Sequence, residues 1–242
     1  MKKIYPLAFI LVIISSVASA QTTTSDPKKA NLVDRAGDHF MVQFSSDHWA
    51  NMPDSIGSHQ KGFSRGLNIY LMIDKPFKTD PRYSVAFGIG VSSSNIFFQN
   101  MEVGLTATSS TLPFPAEDSA THFKKYKLET SFLEVPVELR YTAHPEKENK
   151  SLKFAVGLKV GLMLDAHTKA KDQENGNGTL LNDFIQKESR TAYFNTTRLC
   201  GTARVGYGNF SLFGSYQITS LLVSGAGPDI KFFQIGLCLS GL

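Results

Sequence analysis

Residues 131–143, SFLEVPVELRYTA, alternate strictly in character. An extended chain sends Leu133, Val135, Val137, Leu139 and Tyr141 to one side and Glu134, Pro136, Glu138, Arg140 and Thr142 to the other. One face is apolar. The other carries two carboxylates and a guanidinium, so the strand must lie between two different surroundings. The same period-two pattern is expected in eight segments, at 38–46, 62–74, 82–93, 125–142, 151–166, 192–207, 209–220 and 230–241, and no stretch reads as a long helix. Most of these segments reach or exceed the ~9–11 residues that a tilted strand needs to cross hydrocarbon.

The connections between them sort by length. Those at 47–61, 94–124, 167–191 and 221–229 are mostly long and rich in Ser, Asn, Gly and Asp, whereas those at 75–81, 143–150 and 208 are short. Long and short alternate along the chain, which is the arrangement of an antiparallel barrel with elaborate external loops at one end and tight periplasmic turns at the other. A soluble sandwich has no reason to sort its loops in this way. With an even strand count, both termini fall on the short-turn side.

Alternation alone also fits a soluble sheet with one wet face. The residues on the polar parity decide between the two. In the fifth segment Leu152, Phe154, Val156, Leu158, Val160, Leu162 and Leu164 oppose Lys153, Ala155, Gly157, Lys159, Gly161, Met163 and Asp165. Small residues mixed with both signs of charge suit the narrow lumen of an eight-stranded barrel, which is filled by side chains. The fold class is therefore all-β, an eight-stranded antiparallel up-and-down transmembrane β-barrel with its apolar parity turned to lipid. Glu134, Glu138, Arg140, Lys153, Lys159, Arg198 and Arg204 are expected to face inward as a mutually satisfying charge network, because unpaired charges there would be costly. Tyr83, Tyr141, Phe154, Tyr207 and Phe210 fall on the apolar parity beside the short turns, where a periplasmic aromatic girdle belongs. Phe44, Trp49, Phe63 and Phe233 are the candidates for an outer girdle. Pro136 cannot donate a ladder hydrogen bond, so a bulge is expected between Phe132 and Pro136.

The N-terminus reads as an export signal. Lys2 and Lys3 precede an apolar run from Ile4 to Val17, and Ala18-Ser19-Ala20 is a small-residue cleavage site before Gln21. The expected organisation is a signal peptide at 1–20, a periplasmic segment at 21–37 and the barrel at 38–242. Without Lys2 and Lys3 the 25 basic residues become 23 against 21 acidic ones, a balance that argues against a nucleic-acid partner. Two cysteines, Cys200 and Cys238, are too few for a disulfide scaffold.

Chemistry-bearing signals are sparse. Asp165 and His167, expected on the lumen side near the outer rim of the fifth strand, would couple an acid to a base if a serine from another loop approached them. The six histidines are scattered without ligand spacing, and no metal or cofactor is implied. Lys124-Lys125-Tyr126-Lys127 forms a basic patch at the outer end of the fourth strand. The export signal, the eight amphipathic strands, the central Leu133-Glu134-Val135-Pro136-Val137-Glu138-Leu139-Arg140-Tyr141 and the terminal strand together resemble the small outer-membrane β-barrel family common in Bacteroidota, which includes PorT-like proteins. That resemblance covers essentially the whole mature chain. It implies a non-enzymatic structural or accessory component of the envelope, within a secretion or assembly system, whose partners are membrane lipid and envelope proteins met through external loops or periplasmic turns. A narrow pore or ligand-binding barrel and a lipid-modifying enzyme are the alternatives.

Overall fold

The structure, a computed structural model, describes residues 38–61, 63–117 and 120–241; the expected signal peptide and periplasmic segment lie outside them. Nine strands form one antiparallel sheet: β1 (Asp38–Ala50), β2 (Arg65–Pro76), β3 (Tyr83–Phe98), β4 (Thr121–Thr142), β5 (Leu152–Asn175), β6 (Leu180–Ser189), β7 (Thr197–Tyr207), β8 (Phe210–Gln217) and β9 (Lys231–Ser240). Eight of them close a barrel in the order β1-β2-β3-β4-β5-β7-β8-β9, with β9 returning to pair with β1. Closure pairs the strand edges that lipid could not solvate. Three short connections gather at one end. The tightest joins β7 to β8 through Gly208, whose φ of +62° is the left-handed conformation that glycine adopts without penalty.

The segment 167–191, expected as a loop, is mostly sheet. β5 runs on to Asn175, far past the barrel wall, and β6 folds back along its outer half from Glu174–Leu180 to His167–Ser189. The inner half of β5 pairs instead with β7, from Leu152–Tyr207 to Leu162–Thr197. Strand seven accordingly begins at Thr197 and not near residue 192, because residues 190–196 cross from the hairpin back to the barrel. Leu180-Leu181 and Phe184-Ile185 fall as adjacent pairs that put apolar residues on both faces, so no period-two alternation marks this strand in the sequence.

A bulge does interrupt β4–β5, displaced from Pro136. Ser131 pairs with Asp165 while the next residue, Phe132, pairs with Met163, so Leu164 is the extra residue and the bulge lies on β5. Pro136 keeps its place opposite Lys159 on that side; on the β3 side the paired positions pass from Phe87–Val137 to Gly90–Glu134 and step over it. The bulge changes parity on β5. Below it Ala155, Lys159 and Gly161 face inward; above it Ala166, Thr168 and Ala170 do, so Asp165 and His167 sit on the outer wall and not on the lumen side.

Below the bulge the outer wall is an apolar belt. Leu71, Phe87, Val137, Leu158, Val205, Leu212 and Leu237 are all exposed on it, and Leu158 stands midway along its strand's share. An Arg at Leu158 is expected to cost ~2–4 kcal/mol and an Arg at Leu152, beside the short turns, ~0–1 kcal/mol, read by folding titrations into vesicles. Equal costs at both positions would mean that the wall does not face a bilayer. Deleting Leu164 removes the extra residue and leaves Met163 inward and Asp165 outward in simple alternation, with Lys169 and Lys171 still outward, so this variant should keep the heat-modifiable folded band in gel-shift assays; loss of the band would contradict the assignment of Leu164 as the extra residue.

Candidate functional site in the barrel lumen

The inward parity of the strands builds three polar layers. The central one surrounds Glu134, which is 0% exposed. Arg198 reaches its Oε1 twice, with Nε at 2.9 Å and Nη2 at 2.7 Å, and Lys159 Nζ lies 3.5 Å from Oε2. The Tyr70 hydroxyl donates to the same Oε2. The Arg198 guanidinium also donates to Ser92 Oγ at 2.5 Å and lies 3.7 Å from the centre of the Phe132 ring, a cation–π contact that compensates part of its lost hydration.

Four residues along β4, about 13 Å at a strand's rise, Glu138 takes a 2.7 Å hydrogen bond from Arg204 Nη2 and a 2.9 Å bond from Arg140 Nε. Arg140 Nη1 stands 3.9 Å from Asp74. Towards the long loops the third layer is mostly amide and hydroxyl. Gln234 Nε2 donates to Asp47 Oδ1 (3.0 Å) and Ser45 Oγ (3.2 Å), and Asn68 Nδ2 to Gln43 Oε1 (3.1 Å). Across the layers four carboxylates (Asp47, Asp74, Glu134, Glu138) balance four cations (Arg140, Lys159, Arg198, Arg204).

Of the seven residues expected to form the charge network, six lie in these layers. Lys153 does not join them: it sits at the short-turn mouth, 3.8 Å from Glu148 in the turn Pro145–Lys150. Tyr70 and Asp47 were missed. Tyr70 lies on the polar parity of β2 among Gly66, Asn68, Met72 and Asp74, where a lone aromatic is the visible signal; Asp47 follows an alternation that was ended one residue too early. The mouth beside Lys153 holds a cavity of only ≈ 40 Å³, lined by Asp74, Arg140, Arg204 and Ser240.

Above the layers the lumen is closed by an apolar cap. Trp49, Phe98, Leu105, Leu112, Tyr193, Phe194, Leu222 and Phe232 belong to one buried cluster drawn from strand ends and external connections. Trp49, offered as an outer-girdle residue in a loop, is 5% exposed: β1 continues through it and its odd parity points inward. Phe44 and Phe63 are exposed on the outside, and Phe233 is half-buried, stacked on His48. Tyr126 fastens the cap, with its hydroxyl donating to the Val103 carbonyl and accepting from the Val103 N–H. Leu112 N–H donates to Ala226 O at 2.7 Å and Tyr193 Oη to Ala107 O at 2.7 Å. Burial and the nearby Glu117 and Glu188 carboxylates raise the Glu102 carboxyl above its usual range within these connections.

At the opposite end Tyr83, Phe154, Tyr207 and Phe210 are exposed on the outer wall and Tyr141 is half-buried between two of them, 5.1 Å from Tyr83 and 6.4 Å from Phe154. Cys200 and Cys238 are buried free thiols. A serine does approach the Asp165–His167 pair, but on the wrong member. Ser189 Oγ donates to Asp165 Oδ1 (2.8 Å), His167 Nδ1 meets Asp165 Oδ2 (2.7 Å), and His167 Nε2 faces Glu129 at 3.5 Å. A base that activates a serine must touch that serine, and here the carboxylate stands between them.

A family model described as an outer membrane protein beta-barrel domain matches residues 20–222. Among solved structures, the crystal structure of Ail, the attachment invasion locus protein of Yersinia pestis, is 14% identical, with 84% of this chain and 96% of that chain covered and a TM-score of 0.33. The crystal structure of Neisserial surface protein A (NspA) is 12% identical over 84% of this chain and 96% of that one, with a TM-score of 0.31. No curated protein matches the chain.

Truncating one partner of the central ion cluster leaves a buried charge uncompensated. Glu134→Ala should destabilise the barrel by about 3–5 kcal/mol, and the double variant Glu134→Leu/Arg198→Met should recover most of that loss. Urea unfolding in vesicles measures both. A single variant as stable as wild type would show that Arg198 finds its counter-charge elsewhere.

Proposed function

The chain belongs to the outer membrane protein beta-barrel domain family, and from that premise we propose that it is a non-enzymatic integral barrel whose sealed lumen serves as an anchor, while its external face acts as a structural or accessory component of the envelope. The resemblance to PorT-like proteins suggests a secretion or assembly system as its setting. Residues 1–20 serve as an export signal removed near Ala20-Gln21.

The observation that carries this reading is the obstruction of the lumen. Three hydrogen-bonded layers and an apolar cap occupy the path from the short turns to the long loops, and their charges are engaged with one another. A pore needs a continuous wet path, and a ligand-binding barrel needs a cavity of a few hundred cubic ångströms. The Ser189–Asp165–His167 order likewise speaks against the lipid-modifying alternative. Partner proteins then meet the chain from outside the bilayer. The β5–β6 hairpin offers Leu180, Leu181, Phe184 and Ile185 exposed on its two faces, and β6 ends the strand order with one edge unpaired among the described residues. Such an edge accepts an added strand from an envelope protein.

The purified barrel in planar bilayers is expected to give no discrete conductance steps. Regular steps of one size would replace the anchor reading with the narrow pore.

A further inference from the structure

Cations concentrate on the outer wall just above the apolar belt. Lys125 pairs with Lys171 and Lys127 with Lys169 across the β4–β5 ladder, so four ammonium groups occupy two successive outward rungs. Like charges placed directly opposite one another destabilise a sheet. The parity change at Leu164 turns the two β5 lysines outward. Arg65 of β2 extends the cluster, its guanidinium 5.2 Å from the Phe97 ring centre and 5.8 Å from that of Phe63, and Phe97 is paired with Lys127.

Neighbouring carboxylates neutralise only part of this charge. Glu129 binds Lys127 (2.7 Å) and faces His167 (3.5 Å), Asp172 lies 3.3 Å from Lys171, and Glu174 holds Lys124 at 2.9 Å. Arg65, Lys125 and Lys169 have no ion-pair partner among the described residues. These cations, together with Phe44, Leu67 and Phe97, border an open groove of ≈ 580 Å³. Phe44 and Leu67 line it beside the cations, so the groove is part cationic and part apolar.

We propose that this groove binds the phosphate groups of an outer-leaflet glycolipid, with the sugar-phosphate headgroup among Arg65, Lys125 and Lys169 and an acyl chain against Phe44 and Leu67. The inference rests on the membrane orientation of the preceding subsection. A phosphate placed between opposed lysines supplies the counter-charge that the ladder lacks. An acyl chain in the apolar part accounts for Phe44 and Leu67 bordering the same groove as the cations. A lipid presents both chemistries at this depth, whereas a free phosphate uses only the cationic part.

The test is native mass spectrometry of the detergent-solubilised barrel titrated with bisphosphorylated lipid A, its dephosphorylated form, or inorganic phosphate. The wild type should retain one bisphosphorylated lipid. Arg65→Gln/Lys125→Gln/Lys169→Gln should bind it at least about tenfold more weakly, whereas Lys78→Gln/Lys147→Gln/Lys150→Gln, altered on the short-turn side, should bind as wild type does. Equal retention of the dephosphorylated lipid, equal weakening in both triple variants, or inorganic phosphate binding as tightly as the lipid would each overturn the site. If the first triple variant does not fold, Lys125→Gln and Lys169→Gln are measured singly, each expected to weaken binding; no weakening in either counts against the proposal. Insertion into neutral phosphatidylcholine vesicles separates the two levels of argument. A wild type that fails to insert overturns the membrane reading itself, whereas one that inserts normally but shows no phosphate-dependent retention overturns the groove alone.

Discussion

An eight-stranded barrel encloses a space that only its own side chains can fill, and that constraint organises the rest of the molecule. Its outer wall must be apolar to lie in lipid, so every charge on the transmembrane part of the strands is driven to the inner wall, where water is scarce. A lone ion there is prohibitively costly; a cluster whose opposite charges are paired is far less so. The pairing of Glu134 with Arg198, Lys159 and Tyr70 and of Glu138 with Arg204 and Arg140 is the solution this chain adopts. The glycines near these ions follow from the same crowding. A Cβ at Gly161 would stand 3.0 Å from Arg198 Cγ and 3.3 Å from Glu134 Cγ, tight against both members of the central pair.

The extra residue Leu164 divides the chain into two regimes. Below it, β5 sends small and charged residues inward and leucines and valines outward, the arrangement suited to lipid. Above it, the same strand sends alanines inward and lysines outward, the arrangement suited to water. Ala166 and Ala170 consequently join the apolar cap, which is the ordinary hydrophobic core of a small water-exposed domain. One polypeptide thus contains an inverted barrel with a polar inside and, continuous with it, a conventional fold with an apolar inside. On β5 the exchange coincides with a single-residue slip of parity, whereas β4 makes it by composition alone, with Lys125 and Lys127 outward above and Val135 and Val137 outward below.

Features that depend on period and parity were legible in the sequence. The strand count around the barrel, the sorting of long and short connections and the inward parity of residues such as Glu134 and Arg198 all follow from alternation within single segments. Features that depend on where alternation breaks were not. The bulge was expected between Phe132 and Pro136 because proline lacks an N–H, and the register does shift at the edge of that range, between Ser131 and Phe132, but the ladder steps over Pro136 on the β3 side and the added residue is a leucine on the partner strand. Asp165 and His167 were assigned to the wrong face for this reason. The cap was invisible because Met101, Val103, Leu105, Leu112, Leu221 and Leu222 are scattered through serine- and glycine-rich connections and acquire a common environment only in three dimensions. Trp49 was misplaced by a strand end drawn four residues short.

The two regimes also explain where charge stands unpaired. Within the transmembrane lumen the cations have carboxylate or hydroxyl partners, because the low dielectric makes the alternative expensive. On the outer wall above the belt, opposed lysines persist across β4–β5, since water and salt screen them there. Screening permits such an arrangement but does not favour it, and lysines at every rung of a barrel rim would gain nothing from water alone. Their concentration on β4 and β5, with Arg65 completing the cluster from β2, gives the rim one strongly cationic side. An anionic surface layer would bind that side first, and the barrel would thereby acquire a preferred face within the membrane even though its apolar belt runs around the whole circumference.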